Sequence, residues 1–302
     1  MPEGRIIKAL SGYYYVADSD SDAVIQCRAR GLFKKKGAKI NPLVGDWVVY
    51  ETTKENEQEG YVMEVGERTS ELVRPPIANI ELAVLVFSAA EPAFSPLLLD
   101  KFLVHTEHAG IDAIVAITKT DLISEEKAAE FVQMYEKVGY RVIPTSTRTG
   151  RGVDEVRSEL AGKLCVFAGQ SGVGKSSLIN QIFPGMSLQT AEISHKLGRG
   201  RHTTRHVELI PLESEEGGYV ADTPGFSSLE FMEMSELDLA ESFRDFERYS
   251  DGCKFRGCLH LSEPSCAVRE ALEAGEIVAE RYDNYKQFNE ELKEYNRRNK
   301  PW

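Results

Sequence analysis

Gly169-Gln170-Ser171-Gly172-Val173-Gly174-Lys175-Ser176 carries the most specific chemistry in this chain, because it matches the pattern G-x-x-x-x-G-K-[ST]. Glycines let successive backbone N–H groups turn inward as an anion nest. A lysine at this place neutralises β- and γ-phosphate charge, and the hydroxyl of Ser176 is placed to hold Mg²⁺. Ser177, next in line, completes the nucleotide-binding set. The flanks agree: the apolar run LCVFAG reads as a buried strand before the loop, and KSSLINQIF reads as a helix after it. A phosphate loop alone would serve an ATP-dependent kinase as well as a GTPase.

The choice of nucleotide rests on a second group. Thr118-Lys119-Thr120-Asp121 follows the strand-like DAIVAIT and resembles the N-K-x-D motif. There the aspartate accepts hydrogen bonds from guanine N1 and N2, and the lysine stem packs on the base. Thr118 stands where asparagine is usual, which predicts a weaker side contact but leaves the discriminating Asp121. Thr145-Ser146-Thr147 follows the next strand, YRVIPTS, at the place of a loop whose backbone touches the guanine oxygen; Thr147 replaces the usual alanine. Asp222-Thr223-Pro224-Gly225 closes the strand GYVADT and matches D-x-x-G, with the aspartate near Mg²⁺ and the glycine N–H facing the γ-phosphate. Four motifs, each after its own strand, are hard to ascribe to chance.

Their order is permuted. The guanine-reading motifs precede the phosphate loop, whereas in ordinary GTPases they follow it. A sheet tolerates this, since strand order in space does not dictate order along the chain. One mechanical consequence follows: the segment leaving Gly225 runs into the C-terminal region, so γ-phosphate contacts that order it are expected to act on that region.

Between the phosphate-loop helix and the strand HVELIPL lies a long polar stretch, GMSLQTAEISHKLGRGRHTTRH, of the kind that orders around Mg²⁺ and γ-phosphate. Thr203 or Thr204 should supply the Mg²⁺ contact. The residue after D-x-x-G is Phe226, and a phenyl ring cannot orient water as glutamine does. His202 is the candidate catalytic group in its stead. Weak intrinsic hydrolysis raised by a partner is expected, since partner-supplied groups are worth about 10³–10⁵ in rate.

A different chemistry appears near the C-terminus. Cys253, Cys258, His260 and Cys266 offer three thiolates and one imidazole, the donor set of a closed structural zinc site. Cys27 and Cys165 read as small core residues.

The elements that must position these groups fall into three segments, with expected domains at 1–72, 73–229 and 230–302. Residues 1 to about 70 read as short strands separated by turns, which suggests a small β-barrel. Arg74-Pro75-Pro76 reads as a linker. From Ile80 onward, strands alternate with helices: ELAVLVFSA, a helix over 97–108, DAIVAIT, a helix capped by Ser124, YRVIPTS, a helix over 153–161, then LCVFAG, HVELIPL and GYVADT. Six strands with helical crossovers predict a doubly wound α/β domain. The remainder reads as helical apart from the Cys/His knot.

Composition adds exclusions. A net charge of −12 argues against general affinity for nucleic acid. No apolar run approaches a membrane span, and MPEGRIIKAL lacks the apolar core of a signal peptide, so a cytoplasmic protein with no membrane partner is expected. One local basic stretch stands out: Arg28, Arg30, Lys34, Lys35, Lys36 and Lys39, with Phe33 and no acid. It reads either as a phosphate-tracking strand-loop or as a solvated edge.

Taken together, the barrel, the permuted motifs GQSGVGKS, TKTD, GRHTTRH and DTPGF, and the Cys-Cys-His-Cys knot resemble the RsgA (YjeQ/YloQ) family over essentially the whole chain. The resemblance implies an N-terminal oligonucleotide-binding (OB) fold, a circularly permuted P-loop GTPase domain and a C-terminal α-helical zinc-binding domain. It also implies a monomeric GTPase that binds the small (30S) ribosomal subunit and its rRNA and acts in late maturation of that subunit, with hydrolysis of GTP to GDP stimulated by it. Within the family pattern Phe226 matches a hydrophobic residue in place of the catalytic glutamine, His202 maps to a switch histidine implicated in hydrolysis, and Thr204 is favoured for Mg²⁺. Competing readings are a large-subunit assembly GTPase, a nucleotide-regulated RNA-binding module, and an ATP-dependent kinase.

Overall fold

The computed structural model describes residues 1–30, 33–35, 38–54, 56–73, 75–184, 207–212, 216–222 and 234–298; for residues 33–35, 38, 39 and 222 only the backbone is considered. The chain divides into two compact units, each gathered from three stretches of sequence.

The first unit comprises residues 1–83, 157–167 and 179–227. Its strands β1 (Glu3–Leu10), β2 (Tyr13–Asp18) and β3 (Val24–Ala29) form an antiparallel meander. A hairpin of β4 (Phe33–Lys35) and β5 (Ala38–Ile40) follows. Strands β6 (Trp47–Thr52) and β7 (Glu59–Val65) complete a closed ring, with β7 parallel to β3 and β6 antiparallel to both β7 and β1. Alternation fills the interior with Ile6, Val16, Ile25, Cys27, Val48 and Val62. Among the described residues, the β1–β6 pairing closes the ring and leaves it no unpaired edge. This is the small β-barrel expected from the strand pattern, of the OB type that the resemblance implies.

A bulge in β1 between Ile6 and Lys8 re-aims the strand. Before it, Glu3, Gly4 and Arg5 pair with β6; after it, Lys8 pairs with Glu208 of β14 (Glu208–Pro211). Strand β14 is antiparallel to β15 (Tyr219–Asp222), which runs parallel to β13 (Leu164–Ala168). Lys8, Glu208 and Asp222 therefore lie in one row across β1, β14 and β15. Strand β8 (Glu71–Leu72) pairs with β9 (Ile77–Ala78), and Pro75 and Pro76 of the expected linker lie in the turn between them, while Arg74 lies outside the described residues.

The second unit comprises residues 84–156, 168–178 and 228–302. Strands β10 (Leu82–Ser88), β11 (Asp112–Thr118) and β12 (Arg141–Pro144) adjoin in the order β12-β11-β10, with β11 parallel to β12. Every residue of β10 is buried, as its unbroken apolar sequence requires. Helices α1 (Pro96–His108) and α2 (Glu125–Glu136) start where Ser95 and Ser124 accept hydrogen bonds from Leu98 N and Lys127 N. Helices α3 (Val153–Leu160) and α4 (Lys175–Ile182) follow at the expected places.

Near the C-terminus, α5 (Glu236–Glu241), α6 (Arg244–Ser250), α7 (Ala267–Glu273) and α8 (Ala279–Arg298) enclose an aromatic core of Phe243, Phe246, Tyr285 and Phe288, to which α1 contributes Val104. Between α1, α6 and α8 lies a buried ion cluster. Arg281 donates to Asp245 at 3.0 and 3.2 Å and also to Asp100, which accepts from Asn284 at 2.7 Å.

Candidate functional site

The phosphate loop leaves β13 at Ala168 and enters α4 at Lys175. Gly169 has φ 144°, and a Cβ there would lie 2.1 Å from the Val86 carbonyl oxygen, so only glycine fits against β10. Gly174 (φ 100°) turns the chain into α4 with the Thr118 hydroxyl 3.8 Å from where its Cβ would be. Lys175 Nζ donates to the carbonyls of Gly169 (2.6 Å) and Gln170 (2.7 Å), which holds its charge inside the loop. Burial lowers its pKa from the ordinary lysine value. Val173 is buried and anchors the loop; Gln170, Ser171 and Ser177 are exposed, and Ser176 is half-buried at the first turn of α4.

The guanine-reading motif closes on this loop. Thr118 Oγ1 lies 2.5 Å from Val173 O and 3.1 Å from Phe87 O, so its hydroxyl ties the end of β11 to the phosphate loop and to β10. Lys119 adopts a left-handed backbone (φ 59°) that turns its side chain back over the loop, where Nζ donates to Gly172 O at 2.8 Å and to Glu91 O. The Glu91 carbonyl is a partner that no motif announces.

Thr120 and Asp121 form a 3₁₀ turn joined to the third motif. Thr120 N and Oγ1 both donate to Thr145 O, at 3.2 and 3.0 Å. Ser146 Oγ donates to Asp121 Oδ1 at 2.6 Å and accepts from Thr149 N at 3.3 Å, which fixes the carboxylate. Arg148 Nη1 stands 3.9 Å from Asp121 Oδ2. Residue Asp121 is open through its backbone, but its side chain is only 16% exposed. Thr145 is buried and Thr147 exposed. One compact unit therefore holds the phosphate loop, Thr118–Asp121 and Thr145–Thr147, although the first is separated from the others by more than twenty residues.

Of D-x-x-G, Asp222 is described by its backbone at the end of β15, in register with Glu208; Gly225 lies outside the described residues. So do Phe226, His202, Thr203 and Thr204, and Lys36 of the basic stretch.

In the second unit Cys253, Cys258, His260 and Cys266 bring their ligand atoms within 4.8 Å of one another. Cys253 Sγ is 3.9 Å from Cys266 Sγ, and His260 Nδ1 is 3.6 and 3.4 Å from these two sulfurs. Ideal tetrahedral zinc with ordinary bond lengths sets sulfurs about 3.8 Å apart and sulfur and nitrogen about 3.6 Å apart, so the donor set fits that ion. When bound, zinc supplies a structural cross-link rather than a reactive centre. The knuckle needs strained backbone at His260 (φ 58°) and Ser265 (φ 55°). Glu263 holds it by accepting from the backbone N–H groups of Leu259, Leu261 and Ser262 at 2.9–3.0 Å. Tyr282 OH donates to His260 O at 2.6 Å, and burial keeps the imidazole below its usual pKa, in the neutral ligand form. Glu263 was missed in the sequence; its only signal is an acid inside the cysteine spacing.

Among the described residues no helix is long and apolar enough to cross a membrane. Comparison with known proteins gives a consistent picture. A family described as RsgA GTPase matches residues 65–232, and one described as RsgA N-terminal domain matches residues 3–62. A third, described as 50S ribosome-binding GTPase, matches residues 164–301. Proteins named small ribosomal subunit biogenesis GTPase RsgA are similar to this chain: that of Bacillus subtilis (strain 168) is 55% identical over 300 residues, covering 97% of this chain and 98% of the relative. That of Geobacillus kaustophilus (strain HTA426) is 56% identical over 297 residues, with the same coverage. Among solved structures, YloQ, described as a circularly permuted GTPase, superposes with a TM-score of 0.81 at 49% identity over 100% of this chain and 97% of its own. YjeQ from Thermotoga maritima gives 0.81 at 36% identity, covering 96% of this chain and 98% of its own.

Proposed function

Because this chain belongs to the RsgA GTPase family, we propose that it is a GTPase that binds the small (30S) ribosomal subunit and acts in its late maturation. It hydrolyses GTP to GDP and phosphate, with the subunit as stimulator and rRNA as part of the surface bound. The observation that carries the nucleotide half is the Thr118 hydroxyl on Val173 O at 2.5 Å, together with Lys119 Nζ on Gly172 O at 2.8 Å. These bonds bring Thr118 and Lys119 against the phosphate loop, which supports one ligand shared by the two motifs.

In this reading Asp121, steadied by Ser146, accepts from guanine N1 and N2, and Lys119 packs along the base. Backbone N–H groups of Gly169–Ser176 and Lys175 Nζ hold the phosphates, with Ser177 beside them. Ser176 and Thr204 hold Mg²⁺, Asp222 and Gly225 face the γ-phosphate end, and His202 orients the attacking water. Zinc on Cys253, Cys258, His260 and Cys266 stiffens the C-terminal segment. Domains at 1–72, 73–229 and 230–302 and a cytoplasmic location belong to the same proposal.

The match to a 50S ribosome-binding GTPase model favours a second reading, action on the large subunit. It omits the barrel, which the RsgA N-terminal model covers, and the guanine-reading motifs, which the RsgA GTPase model covers. GTP turnover measured with purified small or large subunits, for the wild type and His202→Ala, tests both. Stimulation by small subunits and its loss in the variant are expected. Stimulation by large subunits alone would overturn the assignment, and full stimulated activity in His202→Ala would remove that residue from the mechanism.

A further inference from the structure

Lys119 Nζ is held by two carbonyls, and only one of them, Gly172 O, belongs to a nucleotide motif. The other, Glu91 O, lies in the strap of residues 89–95 that joins β10 to α1. We propose that this strap is a positioning device for guanine nucleotide, in which Phe94 anchors the Glu91 carbonyl so that Lys119 is fixed in place before the base arrives. Phe94 is then a positioning residue that acts through Lys119. The proposal rests on the reading of Lys119 as the side chain that packs along guanine.

Three observations support it. The strap is tied at both ends: Ala89 N donates to Thr118 O at 2.9 Å, Ala90 N donates to Ser88 Oγ at 3.2 Å, and Ser95 caps α1. The bond to Thr118 fastens it to the residue directly before Lys119. Second, Phe94 is half-buried and locked by other rings. It stacks on Phe131 of α2 with centroids 4.3 Å apart, and it meets Phe87 of β10 and Tyr135 of α2 edge-on at 6.1 and 6.2 Å. Contacts of this geometry fix a ring in direction as well as in place, which pins the strap close to the Glu91 carbonyl.

Third, the strap lies against the phosphate loop itself. Pro92 Cδ is 3.9 Å from where a Cβ on Gly172 would stand, the distance of ordinary contact. The two carbonyls that receive Lys119 Nζ therefore belong to two segments packed on each other. Lysine is rich in rotamers, and a stem left to wander loses that freedom when a base settles on it. Holding Nζ beforehand removes this cost from the binding step. Asp121 is steadied separately, by Ser146. The strap thus governs how firmly the base is covered and not which base is chosen.

The test follows a fluorescent GDP analogue on the full-length, zinc-loaded chain, by equilibrium titration and by its release rate, in a double-mutant cycle. Variants are Phe94→Ala, Phe94→Tyr and Lys119→Met, with Pro92→Ala as a second route to the strap that leaves the aromatic cluster whole. Phe94→Ala and Pro92→Ala are each combined with Lys119→Met. Phe94→Ala is expected to weaken binding about fivefold through faster release, and Pro92→Ala to weaken it in the same direction, while Phe94→Tyr keeps wild-type affinity. In the Lys119→Met background both losses should vanish, because the Glu91 carbonyl then has no ammonium to hold. The preference for GDP over inosine diphosphate should keep its wild-type ratio in both strap variants, since Asp121 reads the exocyclic amine. Wild-type affinity in both strap variants would overturn the proposal. So would an equal loss with and without Lys119, or a fall in the GDP preference, either of which marks a general loosening of the site. A wild-type chain that binds no guanine nucleotide would instead sink the reading beneath it.

Discussion

Single side chains decide how tightly the two halves of the nucleotide site are joined. Thr118 is the clearest case, because one hydroxyl within reach of Val173 O and Phe87 O links the guanine reader, the phosphate loop and β10. Thr118→Val keeps the shape and removes the donor, leaving buried carbonyls short of a partner. A loss of about 1–2 kcal/mol follows, so GDP affinity should fall roughly five- to thirtyfold. Titration with a fluorescent GDP analogue measures it; unchanged affinity would mean that the tie is not part of the site. In the proposed reading Asp121 selects the base. Asp121→Asn should move preference from guanine to xanthine nucleotides, whereas an ATP-dependent kinase would show competition by ATP in the wild type and no such switch.

Elements are joined by burial, and the junction of α1, α6 and α8 is the most exacting. Arg281 is buried between Asp100 and Asp245, with its guanidinium 5.4 Å from the Phe243 ring and 5.6 Å from the Tyr135 ring. Removing it strands two carboxylates in the interior. Arg281→Met should cost about 3–5 kcal/mol of stability in a denaturant melt, because a buried charge left without its partner is worse than no charge at all. Burial also pushes the Asp100 carboxyl up from 3.8 to about 6, against the opposing pull of Arg281 and Asn284. The raised value fixes the sign of the pH effect. The folded form holds the extra proton, so this group's contribution is fully present below pH 3.8 and is lost as pH rises through about 6. Asp100→Asn cannot titrate, so wild-type stability should decline relative to that variant between pH 4 and 7. A constant difference would show that Asp100 keeps an ordinary pKa.

On the scale of the molecule, the zinc knuckle and the guanine reader share a compact unit, even though the sequence sets them more than a hundred residues apart. Loss of the metal is therefore expected to reach beyond the knuckle. Treatment with a strong chelator, or Cys266→Ser, should release one zinc per chain and lower the melting temperature by about 10 °C. That shift follows from a few kcal/mol at roughly 2–4 °C for each. GDP affinity should weaken with it. Retention of both in a zinc-free chain would mean that the cluster is not needed to hold the unit together.

Much of this was legible before any coordinate. Apolar runs such as LAVLVFS and LCVFA read as buried strands, Ser124 is sited as a helix cap, and the motifs follow strand ends because ligands of α/β sheets bind there. The donor set of the zinc site was equally plain, since few other roles suit three cysteines and a histidine in fourteen residues. Local chemistry is written in neighbouring residues. What tertiary structure alone decided is which distant groups became partners. Thr118 reaches a carbonyl 55 positions away, Asp100 meets Arg281 across 181, Lys8 joins Glu208 across 200, and Pro75 and Pro76 lie in the turn of a hairpin. Backbone carbonyls are identical at every position, so no residue type marks the one that a folded chain will bring within reach.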